Sequence, residues 1–316
     1  MLLTTACMAL ALGTAVAQAS GGPSDGGAAA TVRYQTEEVD GLKIFYREAG
    51  PKDAPVILLL HGFPSSSRMF DAVLPELGQR YHLIAPDYPG FGHSDAPDAK
   101  SFAYTFDHLA LVIEHFTEKL GFGHYTLFMQ DYGGPVGFRI AVRHPERVQA
   151  IIIQNAVSHE AGLSTLWETR RAFWRDRKAN EAALRANFLS LDATRQRHVG
   201  TDPHPELIDP DTWTDEYAFL NRPGEADIQL DLFYDYQTNV ASYPKWQQYL
   251  KEHQPPTLVV WGKYDPSFTV AGAKAYAEDV PTAQVHILDA GHFAMDRKAG
   301  EIISLVDGFM AAQALK

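Results

Sequence analysis

Three side chains far apart in the chain have the types that covalent hydrolysis requires: Asp131, His292 and Asp265. Asp131 follows the run Thr126-Leu-Phe-Met129 and Gln130. It precedes Tyr132-Gly133-Gly134 and the stretch Val136 to Val142. The apolar run reads as a short buried strand and the later stretch as a helix start. A side chain at the tip of a tight strand-turn-helix connection stands clear of the sheet, and the crowded backbone there favours small flanking residues. A carboxylate at such a tip needs no deprotonation at neutral pH. It can displace a leaving group from saturated carbon and leave an alkyl ester. As a simple helix N-cap, Asp131 would stabilise the helix by ~1 kcal/mol, but a cap requires no glycine pair. His292 lies in Ala290-Gly-His-Phe293, after the strand-like Val285 to Leu288. Its imidazole can take a proton from water near neutral pH. Asp265 follows Trp261-Gly-Lys-Tyr264. It can fix the histidine tautomer and stabilise the imidazolium, or merely shape a turn before Pro266.

Two further motifs precede Asp131. Val56 to Leu60 runs into His61-Gly62-Phe63-Pro64, and Leu83-Ile-Ala-Pro86 runs into Asp87-Tyr-Pro-Gly90-Phe-Gly92-His-Ser94-Asp95. With Asp131, Asp265 and His292 behind them, the motifs resemble, in type and chain order, the α/β-hydrolase superfamily. Within it they resemble the aspartate-nucleophile branch of epoxide hydrolases and haloalkane dehalogenases. The resemblance covers residues 31 to 316. It implies an α/β fold, with a mostly parallel central sheet flanked by helices and an inserted helical cap. It also implies Asp131 as nucleophile, His292 as the base that activates water, and Asp265 as its acid partner. Glu160 is a second position for that acid. The backbone N–H groups of Phe63 and Tyr132 are expected to form the oxyanion hole, where loss of one donor costs ~3 kcal/mol. Pro64 has no N–H to offer, and His61 reads as structural. No Gly-x-Ser-x-Gly is present to compete.

The two branches differ in how they steady the leaving group. An epoxide hydrolase resembling this chain uses cap tyrosine hydroxyls; a dehalogenase uses N–H donors, often a tryptophan after the nucleophile. Here Tyr132 follows Asp131 and Phe63 follows His61-Gly62, which favours an epoxide. Phe233-Tyr234-Asp235-Tyr236 resembles the segment carrying a ring-opening tyrosine, and Tyr236 is the expected donor. Tyr217, Tyr234 and Tyr132 are its alternates. Aromatic packing between cap and core would also explain these rings. No tyrosine lies between Tyr132 and Tyr217, where a second cap tyrosine is usual; Trp174 stands there and could offer its N–H to a halide. The expected function is therefore hydrolysis of an epoxide to a vicinal diol. Dehalogenation of a haloalkane is the alternative, and a non-catalytic ligand-binding homologue the second.

The remaining sequence bounds this reading. The chain has 316 residues, 46% hydrophobic and 21% charged, enough for one globular unit with an insertion. The net charge of -12 and the lack of a basic run disfavour nucleic acid and anionic membranes as partners. The expected partners are a small hydrophobic organic substrate and water. No cofactor or metal is expected: the histidines are scattered, and Gly90 and Gly92 do not open a dinucleotide motif.

In chain order, Thr31–Val39 and Leu42–Glu48 alternate around Asp40-Gly41, a hairpin signal. Strands are expected at 56–60, 83–86, 126–129, 148–154, 257–261 and 284–288. Helices are expected at 106–120, 136–143, 271–278 and 301–314. The strand-helix alternation lapses from 157 to 249, where helical and turn-rich stretches alternate; this is the expected cap, between core segments 31–156 and 250–316. Residues 1–19 read as a signal peptide ending in Ala17-Gln-Ala19, and 20–30 as a flexible tail. Export to a periplasm is thus expected, with a cytoplasmic location the alternative if the leader is not a signal. The single cysteine, Cys7, would leave with it.

Overall fold

A computed structural model describes residues 29–313. The expected signal peptide, and all but the end of the expected tail, lie outside the described residues. The first two strands, β1 (Arg33–Val39) and β2 (Leu42–Ala49), form the expected hairpin. Its turn has Asp40 and Gly41 both at positive φ, 53° and 79°. That is the left-handed pair a two-residue turn demands, and Gly at the second place removes the steric cost.

Six more strands follow: β3 (Val56–Leu60), β4 (His82–Pro86), β5 (Tyr125–Gln130), β6 (Val148–Gln154), β7 (Thr257–Gly262) and β8 (Gln284–Leu288). They make one sheet in the order β1-β2-β4-β3-β5-β6-β7-β8. The β1-β2 and β2-β4 pairings are antiparallel and the others parallel. The inner strands are covered on both faces, so they read as continuous apolar runs. Leu58, Leu60, Leu127, Met129, Ile151 and Ile153 belong to one core cluster. Ile57, Leu59, Phe128, Ile152, Leu258 and Val260 belong to the other. This division is the period of two that a strand imposes.

Helices α1 (Leu74–Leu77), α2 (Phe106–Lys119) and α3 (Gly133–Arg143) occupy the first half of the chain. The insertion after β6 holds α4 (Trp167–Arg175), α5 (Arg177–Phe188), α6 (Leu191–Val199), α7 (Asp211–Leu220) and α8 (Glu225–His253). The long helical stretch after Leu166 is interrupted at Asp176. That residue leaves the helical region at φ -148° and caps α5 by accepting from the Ala179 N–H. Ser190 caps α6 in the same way. α8 carries Pro244 within it and continues four residues beyond the expected cap boundary at 249.

After β7 and β8 come α9 (Val270–Asp279) and α10 (Met295–Ala312). The last helix was expected to begin at Glu301. It begins at Met295, only three residues after His292, with a kink at Lys298 (φ -126°). Met295 and Ile302, on either side of the kink, are both buried.

Candidate active site

Asp131, His292 and Asp265 come from the C-terminal ends of β5, β8 and β7, the edge of a parallel sheet where loops can converge. Asp131 has φ 45°, a left-handed value that a non-glycine residue adopts at a cost. The packing around it leaves no other course for the chain. A Cβ on Gly133 would collide with the Leu60 carbonyl at the end of β3. A Cβ on Gly62 would run into the side chains of Gln130 and Asp131. The His61-Gly62-Phe63-Pro64 loop thus lies directly against Asp131. His61 is buried, stacked on Tyr88 at 4.2 Å, and its Nε2 accepts from the Tyr88 N–H at 3.3 Å. Burial keeps its pKa low, so it supports the loop as a neutral ring.

His292 joins the other two. Its Nδ1 is 2.6 Å from Asp265 Oδ2 and its Nε2 is 3.0 Å from Asp131 Oδ2. Burial pushes the imidazole pKa down, but the carboxylates of Asp265 and Asp131 outweigh it and raise the value to about 10. Asp265 is held on every side. Its Oδ1 accepts from the Ser267 and Phe268 N–H groups at 2.7 and 3.0 Å, and its Oδ2 accepts from Asn155 Nδ2 at 2.8 Å. Asn155 follows β6 at φ 42° and also binds both the carbonyl and the N–H of Gly262. Glu160 is exposed and paired with Arg171 at 3.1 Å, not with His292.

Sequence reasoning missed Asn155 because nothing marks a lone asparagine after a strand. Gln130, buried just before Asp131, was missed as well. Its amide is 3.0 Å from His292 Nε2, while its Oε1 has no partner. The amide offers nitrogen to a neutral imidazole and, turned half round, oxygen to an imidazolium.

A cavity of about 20 Å³ adjoins Asp131 and His292, room for about one water. Phe63 and Tyr132, the expected oxyanion-hole residues, both line it, with ring centroids 5.7 Å apart. So does Tyr236, 6.0 Å from the Tyr132 ring. Among the described residues the Tyr132 hydroxyl is buried without a hydrogen-bond partner. Burial raises both phenol pKa values well above the ordinary one, helped next by the Asp131 charge at Tyr132 and by Tyr243, then Asp131, at Tyr236. Both rings therefore stay protonated and can donate.

The other expected leaving-group residues are not brought in. Trp174 gives its N–H to the Phe233 carbonyl at 2.8 Å, so it has none left for a halide. Tyr234 packs on Phe173, with Arg177 over its face. Tyr217 on α7 is not among the residues lining the cavity. Trp167 does line it, yet its N–H donates to the Ser267 carbonyl at 3.1 Å. Two arginines on the cavity wall, Arg170 and Arg197, were not anticipated at all.

The sheet order, the sharp turn at Asp131 and the Asp-His-Asp geometry define an α/β hydrolase. Residues 55–299 match the family model described as alpha/beta hydrolase fold, and the chain belongs to that family, in its aspartate-nucleophile branch. It is 40% identical over 281 residues to the uncharacterized hydrolase YNR064C of Saccharomyces cerevisiae, covering 86% of this chain and 96% of that one. It is 37% identical over 242 residues to haloalkane dehalogenase 2 of Mycobacterium bovis, covering 72% and 76% respectively. The solved structure of the epoxide hydrolase CorEH without ligand superposes with a TM-score of 0.73 at 18% identity, over 89% of this chain and 99% of that one; this is a likeness of fold.

Proposed function

We propose that this hydrolase opens an epoxide through an ester on Asp131 and releases a vicinal diol. The observation that carries the reading is the pair Tyr132 and Tyr236, protonated phenols in the same small cavity as Asp131, while both nearby tryptophan N–H groups are engaged elsewhere. Asp131 attacks a ring carbon; the C–O bond breaks and its electron pair goes to the epoxide oxygen. The phenols donate hydrogen bonds to that alkoxide.

The proton balance supports the same order of events. In the resting site His292 lies between two carboxylates and holds its proton. Esterification removes the charge of Asp131, and with it one of the influences opposing burial, so the imidazole pKa falls. Its proton neutralises the alkoxide. The neutral ring then deprotonates water, which attacks the ester carbonyl while the N–H groups of Phe63 and Tyr132 face the oxyanion. Collapse returns Asp131 as a carboxylate and His292 as an imidazolium. Epoxide opening thus consumes and releases no net proton.

Haloalkane hydrolysis is the second reading, and the likeness to haloalkane dehalogenase 2 favours it. Its balance differs, because a departing halide takes no proton and each turnover acidifies the medium. Incubation with styrene oxide, epichlorohydrin and 1-bromobutane, reading diol, halide and an indicator dye separately, decides between them. Diol without acid supports the epoxide; bromide with acid supports the halide. Ligand binding without product from any of the three would leave a non-catalytic binder. Asp131→Asn should abolish turnover with the fold intact, and normal activity in that variant would remove the ester mechanism.

A further inference from the structure

Arg170 on α4 and Arg197 on α6 line the cavity that contains Asp131. They also line an outer cleft of about 590 Å³, and with Pro266 and Ser267 they form the wall shared by the two spaces. Their guanidinium carbons lie 4.4 and 5.7 Å from one ring, that of Phe188. Arg197 also stacks on Phe63 at 4.5 Å, and Arg170 on Trp167 at 4.5 Å.

Among the described residues neither arginine has a carboxylate within ion-pairing distance. Arg170 has the Leu166 carbonyl at 3.3 Å and Arg197 the Phe188 carbonyl at 2.9 Å. Arg197 Nη1 is buried with no partner among the described residues. Two like charges, one buried and one half-buried, stacked on apolar rings, cost stability unless an anion joins them. Burial, and then the charge of Arg170, lowers the Arg197 pKa to about 10.

We propose that Arg170 and Arg197 together bind a carboxylate carried by the substrate, so that the compound attacked by Asp131 is a small anionic acid such as a 2,3-epoxycarboxylate. Two planar forks match a carboxylate, which one or both can hold through paired N–H groups. The arginines stand on the entrance side, between the outer cleft and Asp131, so the acid group stays toward the cleft while the strained carbon goes inward. They also offset the repulsion that an anionic substrate would meet from Asp131. The assignment rests on the ester chemistry proposed above, but it is separable from it.

Calorimetric titration of the full chain with propionate and with propionamide tests the receptor without any reaction. The acid is expected to bind at least about tenfold more tightly, the scale of one charge-assisted hydrogen bond. Arg170→Met and Arg197→Met should each remove that preference. Equal binding of acid and amide by the unaltered protein, no saturable binding of propionate, or a preference that survives in both variants would overturn the proposal. Ester formation in His292→Gln with glycidate and with glycidamide, read by intact mass, tests the chemistry separately. Propionate selectivity with no ester from either compound keeps the receptor and removes the epoxide reading. An ester from glycidamide without propionate selectivity removes the receptor alone.

Discussion

Tyr132, at the start of α3, and Tyr236, in α8, come from elements far apart in the chain, yet their rings are 6.0 Å apart in one cavity. A second tyrosine was expected in the cap; the ring beside Tyr236 in the cavity is that of the residue after Asp131. Tyr236→Phe and Tyr132→Phe each remove one hydroxyl and keep the ring. Single-turnover alkylation of Asp131 by an epoxide should slow by ~10²-fold or more in each, the usual loss for a general acid. Alkylation by 1-bromobutane should change far less. Equal effects on both reagents would show that these rings act by packing.

His292→Gln should stop the reaction at the ester. The first step needs no base and the second does. Intact-mass measurement after substrate should show the protein plus one substrate. A variant that turns over no substrate and gains no mass would place His292 before alkylation.

Asn155→Ala should act through Asp265. Its loss leaves Oδ2 of Asp265 one donor short and frees the Gly262 backbone groups. A buried group left unpaired costs about 1–3 kcal/mol, or ~5- to 150-fold in the hydrolytic step. Ester should accumulate while the alkylation rate holds, and the pH profile of ester hydrolysis should shift. Asn155→Asp, which keeps an oxygen but loses the donor, should not restore the rate.

A second buried histidine predicts a pH dependence of stability. His198 on α6 lies between Glu216 of α7 and Asp296 of α10, at 2.8 and 2.7 Å. Burial lowers its pKa, but the two carboxylates prevail and raise it to about 9. A raised folded pKa contributes stability that is complete below the ordinary value of 6.5 and lost as pH rises through 9. The contribution is at most about 3 kcal/mol. Between pH 6.5 and 9.5 the melting temperature should fall more steeply in the wild type than in His198→Gln. Parallel curves would exclude the charged bridge.

What could be read from the sequence depended on whether a signal was local. The turn at Asp131 shows itself in ten consecutive residues, because its strand, its glycines and its helix all adjoin. The parallel strands show themselves because burial on both faces forces apolar runs. Trp174 could not be judged that way, since only the packing of α4 on α8 directs its N–H to the Phe233 carbonyl. Arg170 and Arg197 looked like two of many basic residues on helical faces. Their lack of acidic partners exists only in three dimensions.

The helix that carries Tyr236 is fastened to the one that begins at Tyr132. Trp246 of α8 stacks on Phe138 of α3 at 5.2 Å, and Arg139 of α3 bonds Asn239 and Thr238 of α8. The phenol is thus tied to α3 beside the sheet, and on its other side it meets α4, where Trp167 lies 4.5 Å from the Tyr236 ring. α4 therefore holds Trp167 against that ring and Arg170 on the same cavity wall, so a shift of this one helix would move both together.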